Sequence, residues 1–199
     1  MGRAATSAGP LDHYDPRWAA IKAGGMARWW FETGPVQEVA DVLATSYLER
    51  SRHPFSAPVR LLDRGIPMPE ASVAATVAVR EDLGAEQAAY RARLLLAPYE
   101  TDLRVDEESE RALVLLHCDD PEEGTRRSMA HEVTVTDTCA AYQRHLHAQV
   151  NRLVDEDRFP MAIRIGDRPT VANQDEVRRL LAPLHPDVPC RSPGTTPSG

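Results

Sequence analysis

Lysine is almost missing from this chain: Lys22 stands alone among 23 basic residues, and the rest are arginines. With the alanine and proline load, that skew fits the codon usage of a high-GC bacterial genome. Arginine abundance is therefore weak evidence for phosphate recognition. Cys118, Cys139 and Cys190 are widely spaced and form no CxxC pair, which argues against a disulfide framework and for reduced thiols. Aromatic residues make up only 6%, so aliphatic packing must fill the core. Nowhere do about 18 apolar residues run together, which excludes a membrane-spanning helix. The opening MGRAATSAGP has no apolar stretch of the kind a secretory leader needs. The reading is a cytoplasmic protein with no membrane association.

Signature loops are missing as well. GxSxG, GxGxxG, a Walker loop and HExxH do not occur, although His131-Glu132 begins the last of these. No glutamate stands three residues before a histidine, so the ExxH pairs of di-iron bundles are absent. His117, Cys118, His131 and Cys139 have no spacing that resembles a zinc signature. No metal and no cofactor is expected.

What is present begins with a charge imbalance. The net charge is −7, and residues 100–123 alone hold ten acids against two arginines. This segment reads as a solvated acidic face, with a docking surface for a basic partner as the sharper reading. The acidic balance argues against a generic nucleic-acid binder. A transcriptional regulator remains only as an alternative, using Arg164, Arg168, Arg178 and Arg179 of a C-terminal hairpin and helix.

Residues 1–11 are small and polar, and residues 186–199 hold four prolines. Both read as disordered tails around a single domain, 12–185. Helical spacing dominates inside it. Trp18, Ile21, Gly25 and Trp29 fall on one face of a first helix weakened by Gly24-Gly25. With Trp30, this segment holds all three tryptophans, either as core anchors or as an aromatic surface for a partner or ligand. Val36, Val39, Ala40, Leu43 and Tyr47 stripe the next helix. Two alanine-rich helices follow at about 70–82 and 85–97, with Gly84 between them as a C-cap. DEESERALVLLHC places acids at a helix N-terminus.

Asp119–Glu123, DDPEE, fits formally the DDxxE pattern through which terpene cyclases and prenyl transferases hold magnesium-diphosphate. Pro121 interrupts the helix that would present those carboxylates, so the run reads as a helix end and an acidic turn. The best periodicity follows, through Val135, Cys139, Tyr142, Leu146, Val150 and Leu153. His145 and His147 flank that stripe. Two residues apart on a helix they point about 200° from each other and cannot share one ion. Asp155-Glu156-Asp157 lie at the helix's unfavourable end, where fraying or pairing with Arg152 and Arg158 is expected. MAIRIGDRPTV alternates across Gly166-Asp167 like a hairpin. Asn173 and Glu176 are spaced as a capping box for a last short helix over Val177, Leu180, Leu181 and Leu184.

The expected fold is mainly α: a single-domain helical bundle with a C-terminal β-hairpin followed by a short helix. The alternative is α+β, with strands near 91–97 and 111–117. The expected function is a non-enzymatic interaction or accessory protein, homo-oligomeric, with room for a further protein partner. A second reading is an enzyme or small-molecule-binding protein with a pocket between helices, built from His117, His131, Tyr142 or the tryptophans.

Overall fold

The computed structural model describes residues 25–52, 67–109, 114–130, 136–165 and 169–184. These are mostly helical, with one small parallel sheet. A turn of α-helix, Met26–Arg28, runs into a π-helical turn, Trp29–Thr33. Then come α1 (Val36–Arg52), α2 (Pro67–Glu81), α3 (Ala85–Leu96) and α4 (Glu100–Ser109). Strand β1 (Val114–His117) is followed by α5 (Pro121–Met129) and α6 (Asp137–Asp155). Strand β2 (Met161–Arg164) and α7 (Thr170–Leu181) complete the order.

α2 is the axis of the bundle. Every residue from Ala71 to Ala78 is buried, and all are alanine, valine, serine or threonine. A helix buried all round is a core helix, and small side chains let its neighbours come close. α1, α3 and α6 pack around it. The buried Thr76 hydroxyl stays satisfied: its Oγ1 donates to the Ser72 carbonyl at 2.9 Å and accepts from Trp30 Nε1 at 3.0 Å. Pro67 and Pro69 are tolerated because they stand in the first turn, where no intrahelical N–H partner is lost.

Several boundaries differ from the sequence expectation, each for a local reason. Trp18 and Ile21 lie outside the described residues. Gly25 has φ +93°, so no helical face runs through it to Trp29. The left-handed exit of α2 falls to Asp82 (φ 51°), with the Leu83 N–H donating to the Ala78 carbonyl. Gly84 instead N-caps α3. α6 ends the same way: the N–H of Asp157 (φ 56°) donates to the Val154 carbonyl and that of Arg158 to Leu153, a Schellman closure.

The alternative strand near 91–97 is helix, part of α3, whereas the one near 111–117 is real as β1. The acids of DEESERALVLLHC therefore end α4 rather than start a helix. DDPEE does not end a helix either. It opens α5, with Asp120 accepting from the Glu122 N–H at 2.9 Å and Pro121 in the first position.

β1 and β2 pair in parallel, Val114 opposite Met161 and His117 opposite Arg164, and α5 and α6 form the crossover that parallel strands require. The expected hairpin turn at Gly166-Asp167 lies outside the described residues. The strand that would be its first arm pairs with β1, and Thr170-Val171 beyond it are helical. Alternation marks a strand but says nothing about its partner. α7 starts three residues before Asn173, because the Pro169 carbonyl accepts from the N–H groups of Ala172 and Asn173. No capping box forms. Among the described residues, no helix is long and apolar enough to cross a membrane.

Candidate functional site: a polar seam and a charged cleft

The residues singled out for chemistry gather chiefly where α6 meets β1 and α5. Arg144, His147 and Asn151 step along one face of α6 by three and four residues, the first two facing α5 and the third the end of β1. Arg144 pairs with Glu122. Asn151 Nδ2 donates to the Asp119 carbonyl at 2.6 Å, and its Oδ1 lies 3.2 Å from His117 Nδ1. Asp119 also pairs with Arg164 across the ends of the two strands. His117 is buried at this junction.

His147 is the centre of the seam. Burial pushes its pKa below the ordinary 6.5, against a hydrogen bond to the Gly124 backbone that works the other way. The ring is therefore neutral, and its Nε2 shares a hydrogen bond of 3.1 Å with Ser128 Oγ. A serine hydroxyl on an oriented imidazole resembles a nucleophile and base. Its surroundings are wrong for acyl transfer. Ser128 lies in the last turn of α5, where backbone N–H groups are committed to the helix and the free groups are carbonyls. An oxyanion there meets the negative end of the dipole instead of donors. The pair is a hydrogen bond between two helices.

His145 sits on the other flank of α6, as the helical reading requires. Burial and the nearby Arg144 lower its pKa, with Asp82 opposing. Cys118, buried beside the seam, is held in its thiol form: burial pushes its pKa up and outweighs the attraction of Arg127.

The aromatic candidates lie elsewhere. The Trp30 indole is tied to Thr76, and the Trp29 ring rests against Gly34. Tyr142 is buried, its ring 5.0 Å from that of Phe31. These rings seat the π-helical turn on α2 and α6. Tyr142 and His117 do not converge, because Tyr142 is more than two turns along α6 from Asn151. His131 lies outside the described residues. Among the described residues, no three His, Cys, Asp or Glu side chains gather as a metal site would need.

Of the arginines considered for nucleic acid, Arg164 pairs with Asp119, Arg178 with Asp175 and Arg179 with Glu176. Arg168 lies outside the described residues. Arg164, Arg178 and Arg179 thus each have a carboxylate beside them.

A second polar feature meets the sequence expectations only in its Arg152–Glu156 pair. Glu70, in the first turn of α2, is only 12% exposed and accepts from three arginines. Arg93 of α3 lies at 3.1 Å, Arg152 of α6 at 2.9 Å, and Arg158 at 3.3 Å. Arg158 continues to Glu107 of α4 at 3.1 Å, and Glu156 joins Arg152 and Arg93. One carboxylate therefore ties α2, α3 and α6 together, with α4 joined through Arg158. Its one sequence signal is a lone acid just before an unbroken run of small residues. Beside this network a cleft of about 340 Å³ opens between α3 and α4, with Leu96 and Leu103 on its apolar side.

No family model matches this sequence, no curated protein matches it, and no solved structure matches the fold.

Proposed function

We propose that this chain is a non-enzymatic interaction or accessory protein of a high-GC bacterial cytoplasm, and that it self-associates. The observation that carries the reading is the outer face of α3. Ala88, Ala89, Ala92, Leu95 and Leu96 turn that helix's inner face into the core. On the opposite side Tyr90 is 65% exposed and Leu94 49%, one turn apart. Single exposed apolar residues are ordinary, but an aromatic and a leucine stacked on one helical face match the anchors that dominate interfaces. The polar groups add support, since His117, His147, Ser128 and Glu70 are each engaged in holding elements together.

Native mass spectrometry and light scattering test the reading. The 22.0 kDa chain is expected to run as a multiple of its mass. The double variant Tyr90→Arg, Leu94→Arg is expected to return it to a monomer with unchanged circular dichroism. A wild-type monomer at tens of micromolar, with no co-purifying partner, overturns the proposal.

A further inference from the structure

The cleft between α3 and α4 has a definite chemical character. Glu100, Leu103, Arg104 and Glu107 face it from α4, and steps of three, one and three place them on one helical stripe. α3 supplies Arg93 and Leu96. The two helices are joined by a 3-10 turn, Ala97–Tyr99, so the cleft lies in the angle of a V closed by Glu70 and Arg158.

The charges divide into two sets. Arg93 and Arg158 are bound to Glu70, and Arg158 also to Glu107. That set is balanced and offers a ligand nothing. Glu100 and Arg104 form no hydrogen bond or ion pair with any described residue, nor with each other. Such a glutamate four residues before an arginine ordinarily pairs with it. Among the described residues, what faces the cleft is one unclaimed anion, one unclaimed cation a turn away, and leucine side chains beside them.

We infer that this cleft binds a free α-amino acid with an apolar side chain. Its ammonium meets Glu100, its carboxylate meets Arg104, and its side chain lies against Leu96 and Leu103. A zwitterion fits because the wall is neutral overall. A simple anion on Arg104 would meet the Glu100 carboxylate one turn away, and a simple cation on Glu100 would meet the Arg104 guanidinium. An amino acid holds both charges on one carbon, within reach of two side chains one helical turn apart. The volume lies within the range of small-molecule sites. Guanidinium and carboxylate favour a bidentate, charge-assisted contact.

Calorimetric titration of the full chain with L-leucine tests this, using three comparators. Isopentylamine lacks the carboxylate, 4-methylpentanoate lacks the ammonium, and glycine lacks the side chain. Leucine is expected to bind saturably in the millimolar range, with each comparator at least about tenfold weaker. Glu100→Gln and Arg104→Gln should each weaken leucine by a similar factor. Both positions are exposed, so the thermal midpoint should not move. No leucine binding in that range, or an amine or acid that binds as tightly, overturns the inference. The titration is independent of the oligomer measurement, which reads the outer face of α3.

Discussion

Gly124 of α5 lies against the ring of His147 so closely that a Cβ there would stand 2.7 Å from the imidazole Cγ. This contact sets how near α5 comes to α6. The atom met is the root of the ring, which cannot swing away as a flexible chain end can. Gly124→Ala should therefore destabilise the protein even though alanine is the better helix former by about 1 kcal/mol. Overpacking of this kind costs about 1–3 kcal/mol, so a net loss of up to about 2 kcal/mol is expected in urea unfolding. The double variant Gly124→Ala, His147→Ala is the decisive comparison. Once the ring is gone, adding the methyl group should be neutral or stabilising, a large departure from additivity. An additive result would show that the close approach is not what constrains the site.

Acid should weaken the fold in two stages. His147 and His145 have folded pKa values below 6.5 because partial burial penalises their charged forms, with Arg144 adding to this at His145. The unfolded chain binds protons that the folded one refuses, so this stability is full above 6.5 and falls away as pH drops through the folded values. Glu123 acts lower down. Hydrogen bonds from Arg126 and Arg127 hold it at about 2 against an ordinary 4.5, so its contribution is present above 4.5 and lost as pH falls towards 2. Urea midpoints measured across pH should decline through both windows. His147→Gln should flatten the upper decline, and Glu123→Gln the lower one.

The seam and the bundle are not equally legible in the sequence. α1 and α6 follow from 3.6-residue spacing, because each buries one face, whereas the pair α2 and α3 is read from its alanine content and the break at Gly84. The separation of His145 from His147 follows from the same period. Partners are not legible. MAIR reads as a strand from its alternation, but nothing local to it says that it pairs with VLLH across two intervening helices. DDPEE misleads because Pro121 breaks a helix when it is inside one and suits the first position when a helix starts there; only the structure before it decides. Asn151 carries no local signal, and Glu70 none beyond standing before a run of small residues, because each acts through residues distant in sequence.

Glu70 should matter more than any surface pair. Its carboxylate is the common acceptor of Arg93, Arg152 and Arg158, and Arg152 is itself only 18% exposed. Glu70→Gln leaves these guanidinium groups facing one another with their acceptor weakened. Removing one partner from a buried ion pair costs about 3–5 kcal/mol; with Arg93 half exposed, about 2–4 kcal/mol is expected here. Asp175→Asn is the contrast. It and its partner Arg178 are both mostly solvated, so this variant should lose less than about 0.5 kcal/mol. Chemical denaturation of the two variants side by side separates the network from ordinary surface pairing, and equal losses would remove Glu70 from its central place.

The two described thiols should react at different rates. Cys118 is buried, and burial raises its pKa, so little thiolate forms near neutral pH and the sulfur is shielded from reagent. Cys139 is half-buried in the first turn of α6, its backbone N–H donating to Thr136 Oγ1 at 3.1 Å. Here the apolar spacing suggests a core cysteine, but the helix begins at Asp137 and its first turn is less covered than Val150 or Leu153. Iodoacetamide followed by peptide mass mapping should therefore find Cys139 alkylated well before Cys118 in the native protein. In denaturant the difference should vanish. Early modification of Cys118 in the folded chain would mean that the seam around His117 and Asp119 opens on its own, and that its hydrogen bonds hold α5 and α6 less firmly than their geometry implies.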